Sequence, residues 1–169
     1  MRRGLSLMAV LLITATAAMP QADNKFARMS LRGLIGVEVV VDELTPEAEA
    51  DGLGTTAIQT DVELKLRQSG IKVLTREQGL AAPGMPVLYI RVATYRSSEA
   101  PVYAVFVEVE LEQAVRLERE PSVRVRVVRT WNARGFLGTV GRQRLPTVRD
   151  NVKDQVDQFV NAWLSVNPK

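Results

Sequence analysis

The chain has 169 residues, with 22 lysines and arginines against 19 aspartates and glutamates, and it contains neither cysteine nor histidine. Without cysteine there are no disulfides and no lipid-bearing residue of a bacterial lipoprotein; without histidine the commonest general base, metal ligand and pH switch are missing. Ser-His-Asp and Cys-His catalysis are excluded on these grounds, and so is any zinc site built on His or Cys.

The chain opens with Met1-Arg2-Arg3, an apolar run from Leu5 to Ala15, and then small residues. This pattern predicts a secretory signal peptide over residues 1–22, cleaved after Ala17 or Ala18 or at the later Pro20-Gln21-Ala22. The run is far shorter than the roughly 20 residues a bilayer-spanning helix needs, so a periplasmic or secreted destination is expected. No acid precedes Asp23, so processing removes Arg2 and Arg3 and leaves 20 basic against 19 acidic residues, or +1. A chain this close to neutral is not expected to bind nucleic acid.

Residues 23–30 read as a flexible leader, followed by a single α+β domain over 31–169. Gly36 to Val41 predicts a β-strand, rich in β-branched residues. Thr45-Pro46 is a helix-start signal. A helix is predicted over 55–69, with Ile58, Val62 and Leu66 buried, Ala57 and Leu64 flanking them, and Gly70 as its left-handed stop. Ile71 to Leu74 reads as a short strand, Thr75 to Gly79 as a capped turn of helix, and Val87 to Tyr95 as another strand.

From Val102 to Leu117 the alternation is nearly unbroken; only Gln113 sits among the apolar set, and a bulge near it is the alternative to one continuous strand. Tyr103, Val105, Val107, Val109, Leu111, Val115 and Leu117 are expected on one face, and Glu108, Glu110, Glu112 and Arg116 on the other. Glu118 to Ser122 makes a turn. Val123, Val125, Val127 and Trp131 are expected to continue the buried face, completing a long hairpin over about 102–133 in which Arg124 and Arg126 pair with the glutamates. Gly135, Gly138 and Gly141 then bracket a short extra strand at Phe136 to Val140. Thr147 and Asp150 resemble a capping box opening the last helix, whose apolar stripe is Val148, Val152, Val156, Phe159, Val160 and Trp163. The expected fold is α+β in the order β-α-β-β-β-β-α, an antiparallel or mixed sheet of about four to five strands with two helices on one face.

Charge is segregated along the chain. Asp42, Glu43, Glu47, Glu49, Asp51, Asp61 and Glu63 fall in a stretch without a basic residue, whereas 123–149 holds seven arginines and no acid. If Arg124 and Arg126 serve the hairpin, Arg134, Arg142, Arg144 and Arg149 remain as candidates for binding phosphate, lipid headgroups or an acidic partner. Arg142-Gln143-Arg144 precedes a helix start and so suits an anion. Glu47, Glu49 and Asp51 lack the twelve-residue calcium loop and read as a solvated acidic face. The hairpin glutamates have arginine neighbours that keep them ionised, which disfavours a carboxylate-pair hydrolase. No catalytic residue, metal site or cofactor is assigned.

Leu31-Arg32-Gly33-Leu34, Thr60 to Arg67 leading into Gly70-Ile71-Lys72-Val73, and Val156-Asp157-Gln158-Phe159 through Asn167-Pro168-Lys169 resemble a group of uncharacterised exported bacterial proteins. More loosely, the order of elements is similar to the TolB N-terminal domain and to auxiliary lipoproteins of envelope transport systems. That resemblance implies a non-enzymatic assembly or adaptor module and supplies no catalytic residues. The combined expectation is a periplasmic binding or adaptor domain that contacts an envelope protein. An anionic-ligand or envelope-surface binder is the alternative, and a carboxylate hydrolase a second.

Overall fold

The computed structural model describes residues 23–168. The predicted signal peptide, 1–22, lies outside the described residues. The helices are α1 (Lys25–Met29), α2 (Pro46–Ala50), α3 (Thr55–Gln68), α4 (Arg76–Ala81) and α5 (Val148–Val166). The strands are β1 (Val37–Val41), β2 (Val73–Leu74), β3 (Val87–Arg96), β4 (Val102–Leu117), β5 (Glu120–Asn132) and β6 (Phe136–Gly141). They form one mixed sheet in the order β2-β1-β3-β4-β5, with β6 also paired to β4. β1 is parallel to β2 and β3, and the other pairs are antiparallel. The α+β class holds, with six strands among the described residues because the glycine-bracketed segment is a full sheet member.

One sheet face carries the core. Val37, Val39, Leu88, Ile90, Val92, Tyr103, Val105, Val107, Val109, Leu111 and Trp131 are all buried there. α3 presents Ile58, Val62 and Leu66 to it, and α5 presents Val148, Val152, Val156, Phe159 and Val160, as the helical spacing predicts. Trp131 meets Phe159 edge-on, with ring centroids 5.3 Å apart. Leu64 is half exposed, so it lies outside the stripe. α3 ends in a Schellman turn. Gly70, at φ 82°, donates to the Arg67 carbonyl, and Ile71 donates to that of Leu66.

Two expectations about helix ends are corrected. Residues 23–30, read as a flexible leader, carry α1. Asn24 caps it by accepting from the Phe26 and Ala27 amides, and Asp23 accepts from the Trp131 indole at 3.2 Å and from Arg28. The helix is held because this segment supplies its own cap and pins a core tryptophan. At the other end the Thr147–Asp150 capping box does not form. Residues Arg142–Thr147 already coil as a 3-10 helix, so Thr147 has helical dihedrals (φ −70°, ψ −10°) instead of the extended ones a cap needs, and its hydroxyl donates to the Arg144 carbonyl. A capping box does form at α4, where Thr75 and Gln78 each satisfy the other's amide.

β5 and β6 together form a single interrupted partner for β4. β5 leaves the ladder after Asn132↔Glu110, and β6 joins it at Phe136↔Val107. In the gap, buried Gln155 of α5 donates to the Val107 carbonyl and accepts from the Val109 amide, both at 3.0 Å. One turn on, Gln158 accepts from the Arg134 amide. Two side-chain amides thus stand in for missing strand partners and satisfy backbone groups that would be costly to bury unpaired.

Candidate functional site

The four arginines read as a binding region do not share one environment. Arg142 is bonded to Asp51, with Nη2 2.7 Å and Nε 2.8 Å from the same carboxylate oxygen, while the Tyr103 hydroxyl donates to the other oxygen at 2.7 Å. The Arg142 guanidinium, with help from Tyr103, holds the Asp51 carboxyl below its ordinary range; burial, then this bond, raises the Tyr103 phenol. Arg149 lies 2.7 Å from Asp61, whose carboxylate also attracts Lys153 at 3.5 Å. The acidic early segment and the arginine-rich late segment therefore fold onto each other, and much of the linear polarity is neutralised. Arg134, between β5 and β6, and Arg144, in the 3-10 helix, are exposed on separate elements and make no ion pair among the described residues. Of the acids weighed as a calcium set, Asp51 is taken by Arg142, and Glu49 accepts from Thr55.

The sheet face opposite the core carries a charged ladder. Strand register sets Tyr89 beside Glu110 and Arg91 beside Glu108, and a shifted register sets Arg129 beside Glu112. Arg91 reaches Glu108 at 3.0 Å, Glu110 at 3.8 Å and Asp42 at 3.7 Å. Arg129 reaches both glutamates at 3.1 Å. Tyr89 donates to Asp42, which raises the phenol's pKa along with burial. Glu110 is only 5% exposed, so two guanidiniums replace the water it has lost. Glu112 has its pKa raised by burial and then by the charge of Glu110. Glu108 and Glu110 are each within ion-pair distance of both Arg91 and Arg129.

The expected partners Arg124 and Arg126 are not in this ladder. The β4–β5 register shifts three times, between Leu111 and Glu112, between Gln113 and Val115, and between Arg116 and Leu117. These bulges change the phase of alternation, so Arg129 takes the glutamates and Val128 stands opposite Gln113. Arg91 and Arg129 were missed because strict alternation in each strand says nothing of register. The exposed-face position of Arg91 in β3 was the available signal.

The displaced residues lie on a projecting arm. β3 accompanies β4 only as far as Val87↔Glu112. Beyond that point β4 and β5 continue as a two-stranded ribbon around the Leu117–Glu120 turn. Val123, Val125 and Val127, expected in the core, are 42%, 37% and 66% exposed because neither helix nor third strand among the described residues covers them. Residues 116–126 carry Arg116, Arg119, Arg124 and Arg126 against Glu118 and Glu120, a balance of 4 − 2 = +2. None of these arginines makes an ion pair among the described residues; Arg116 instead donates to the Pro121 carbonyl. Arg116 and Arg124 face each other across the strands. The arm is thus an apolar, cationic ribbon, in contrast to the body of the sheet, where Arg91, Arg129, Arg142 and Arg149 are paired with acids. Among the described residues no helix is long and apolar enough to cross a membrane, and no group of acids is placed to hold a metal ion. No family model, curated protein or solved structure matches this chain.

Proposed function

We propose that this chain is a non-enzymatic binding or adaptor domain of the bacterial cell envelope, exported to the periplasm by residues 1–22, with the hairpin arm as its contact surface. The observation that carries this reading is the exposure of Val123, Val125 and Val127 beside Arg116, Arg119, Arg124 and Arg126, which make no ion pair among the described residues. A two-stranded ribbon gains little stability by itself, and ordering it costs backbone entropy. An apolar ribbon held clear of the core is better suited to contact with another molecule than to folding its own domain. A photo-crosslinking residue placed at Val125 in intact cells is expected to give discrete adducts, and one at half-exposed Leu64 of α3 to give none. Equal labelling from both positions, or from neither, would refute the arm as the contact surface. Fractionation should recover the processed chain from the periplasm.

A second reading draws on Arg134 and Arg144, exposed and without an acidic partner among the described residues. These would give salt-sensitive binding to anionic glycans or vesicles that disappears in an Arg134→Ser/Arg144→Ser variant. The carboxylate hydrolase finds less support, since Glu108 and Glu110 are held by Arg91 and Arg129.

A further inference from the structure

We infer that the free edge of β5 in the arm receives an acidic, extended segment of an envelope protein, added to the ribbon as a third strand; this rests on the reading of the arm as the contact surface. The first support is the backbone. β5 ends the sheet order, so over 122–127 its outward amides and carbonyls have no strand beside them among the described residues. An unpaired edge is a ready template for an incoming strand, whose main chain supplies affinity while alternate side chains supply choice.

The second support is the side-chain pattern. Val123-Arg124-Val125-Arg126 alternates apolar and cationic residues ahead of the bulge that sets Val128 opposite Gln113, and Val125 stands opposite Val115 of β4. A strand laid beside it matches best when it alternates apolar residues with Asp or Glu. Guanidiniums take carboxylates through two parallel hydrogen bonds, which adds geometric preference to the attraction.

Two other occupants fit less well. A second copy pairing antiparallel through its own β5 would set Arg124 and Arg126 against the same arginines and bring together two arms that each carry the positive excess. An anionic bilayer is usually engaged with Trp or Tyr at the headgroup level, and residues 112–128 contain no aromatic side chain. The arginines thus exclude like strands from an otherwise exposed edge while leaving it open to an acidic one.

The test uses the chain purified from the periplasm and a fluorescent peptide of alternating Val and Glu. The peptide is expected to bind with salt-sensitive affinity, and an Arg124→Glu/Arg126→Glu variant with an unchanged urea midpoint should bind at least about tenfold more weakly. The same peptide N-methylated at alternate residues keeps its charges but loses strand hydrogen bonds, and should not bind. Equal binding of the N-methylated peptide, or of an alternating Val and Lys peptide, would overturn strand addition. So would binding of phosphatidylglycerol vesicles, but not of the peptide, with the same arginine dependence. If the peptide fails while Val125 adducts persist in cells, the arm remains the contact surface and the acidic-strand partner falls. If both fail, the reading of the arm falls as well.

Discussion

The base and the tip of the long hairpin are made from similar residues and meet different fates. At the base, Val105, Val107, Val109 and Leu111 of β4 lie between β3 and the interrupted β5–β6 partner, under α5, and all are buried. At the tip, Val123, Val125 and Val127 have the same β-branched shape and the same alternation, and are exposed. Hydrophobic alternation therefore marks a strand with an apolar face, and cover from other elements determines whether that face becomes core. Charge divides the same way. Base glutamates are matched by Arg91 and Arg129, while the tip keeps a positive excess.

The largest effect is expected at the base. Trp131 is 1% exposed and meets Phe159 edge-on, so Trp131→Ala should cost about 3–5 kcal/mol in urea unfolding. A loss below about 1 kcal/mol would mean that the base is as loosely held as the tip. Next comes the gap between β5 and β6. Gln155→Leu retains bulk but leaves the Val107 carbonyl and Val109 amide unpaired, for a cost of about 1–3 kcal/mol. Faster hydrogen exchange of the Val109 amide would locate the damage.

A smaller, pH-dependent effect is expected at Asp51. Its folded pKa is lowered, so its contribution is present above the unfolded value of about 3.9 and is lost as pH falls through the folded value. Asp51→Asn should be less stable than the parent at pH 7, and the two melting curves should converge below about pH 4. A gap of constant size would show that the carboxylate's charge is not what stabilises. The smallest effect is expected at the tip, where Val123→Ser with Val127→Ser should change stability by no more than about 0.5 kcal/mol per site while abolishing the crosslinks made by a photo-reactive residue at Val125. A large loss of stability would place these valines in the folding unit and end the contrast.

Local patterns were legible wherever period alone decides. The Ile58, Val62 and Leu66 stripe, the α5 stripe from Val148 to Val160, and the α+β class follow from spacing, and Gly70 marked the end of α3. The valines of β5 were misplaced because a period-two pattern identifies a face without showing what covers it. Arg129 was overlooked because three bulges change the phase between the two strands, and Gln113 marks only one of them in the sequence. The bond between Arg142 and Asp51 joins residues 91 apart in sequence, so only the linear segregation of charge was visible, and its neutralisation was not. Of the four arginines first singled out, two are held by acids of the early segment; the more suggestive arginines lie at the tip.

Composition settled which chemistries are unavailable, since a missing cysteine or histidine is missing in any fold. Periodicity settled which segments become helix or strand, because i, i+4 and i, i+2 neighbours are set by the chain itself. The end of β3 at Val87, the bulges that bring Arg129 to the glutamates, and the glutamines that bridge the broken ladder all arose from contacts between distant segments. Those contacts separate the buried half of the hairpin from the exposed one, since burial depends on what packs against a face and that neighbour is remote in sequence.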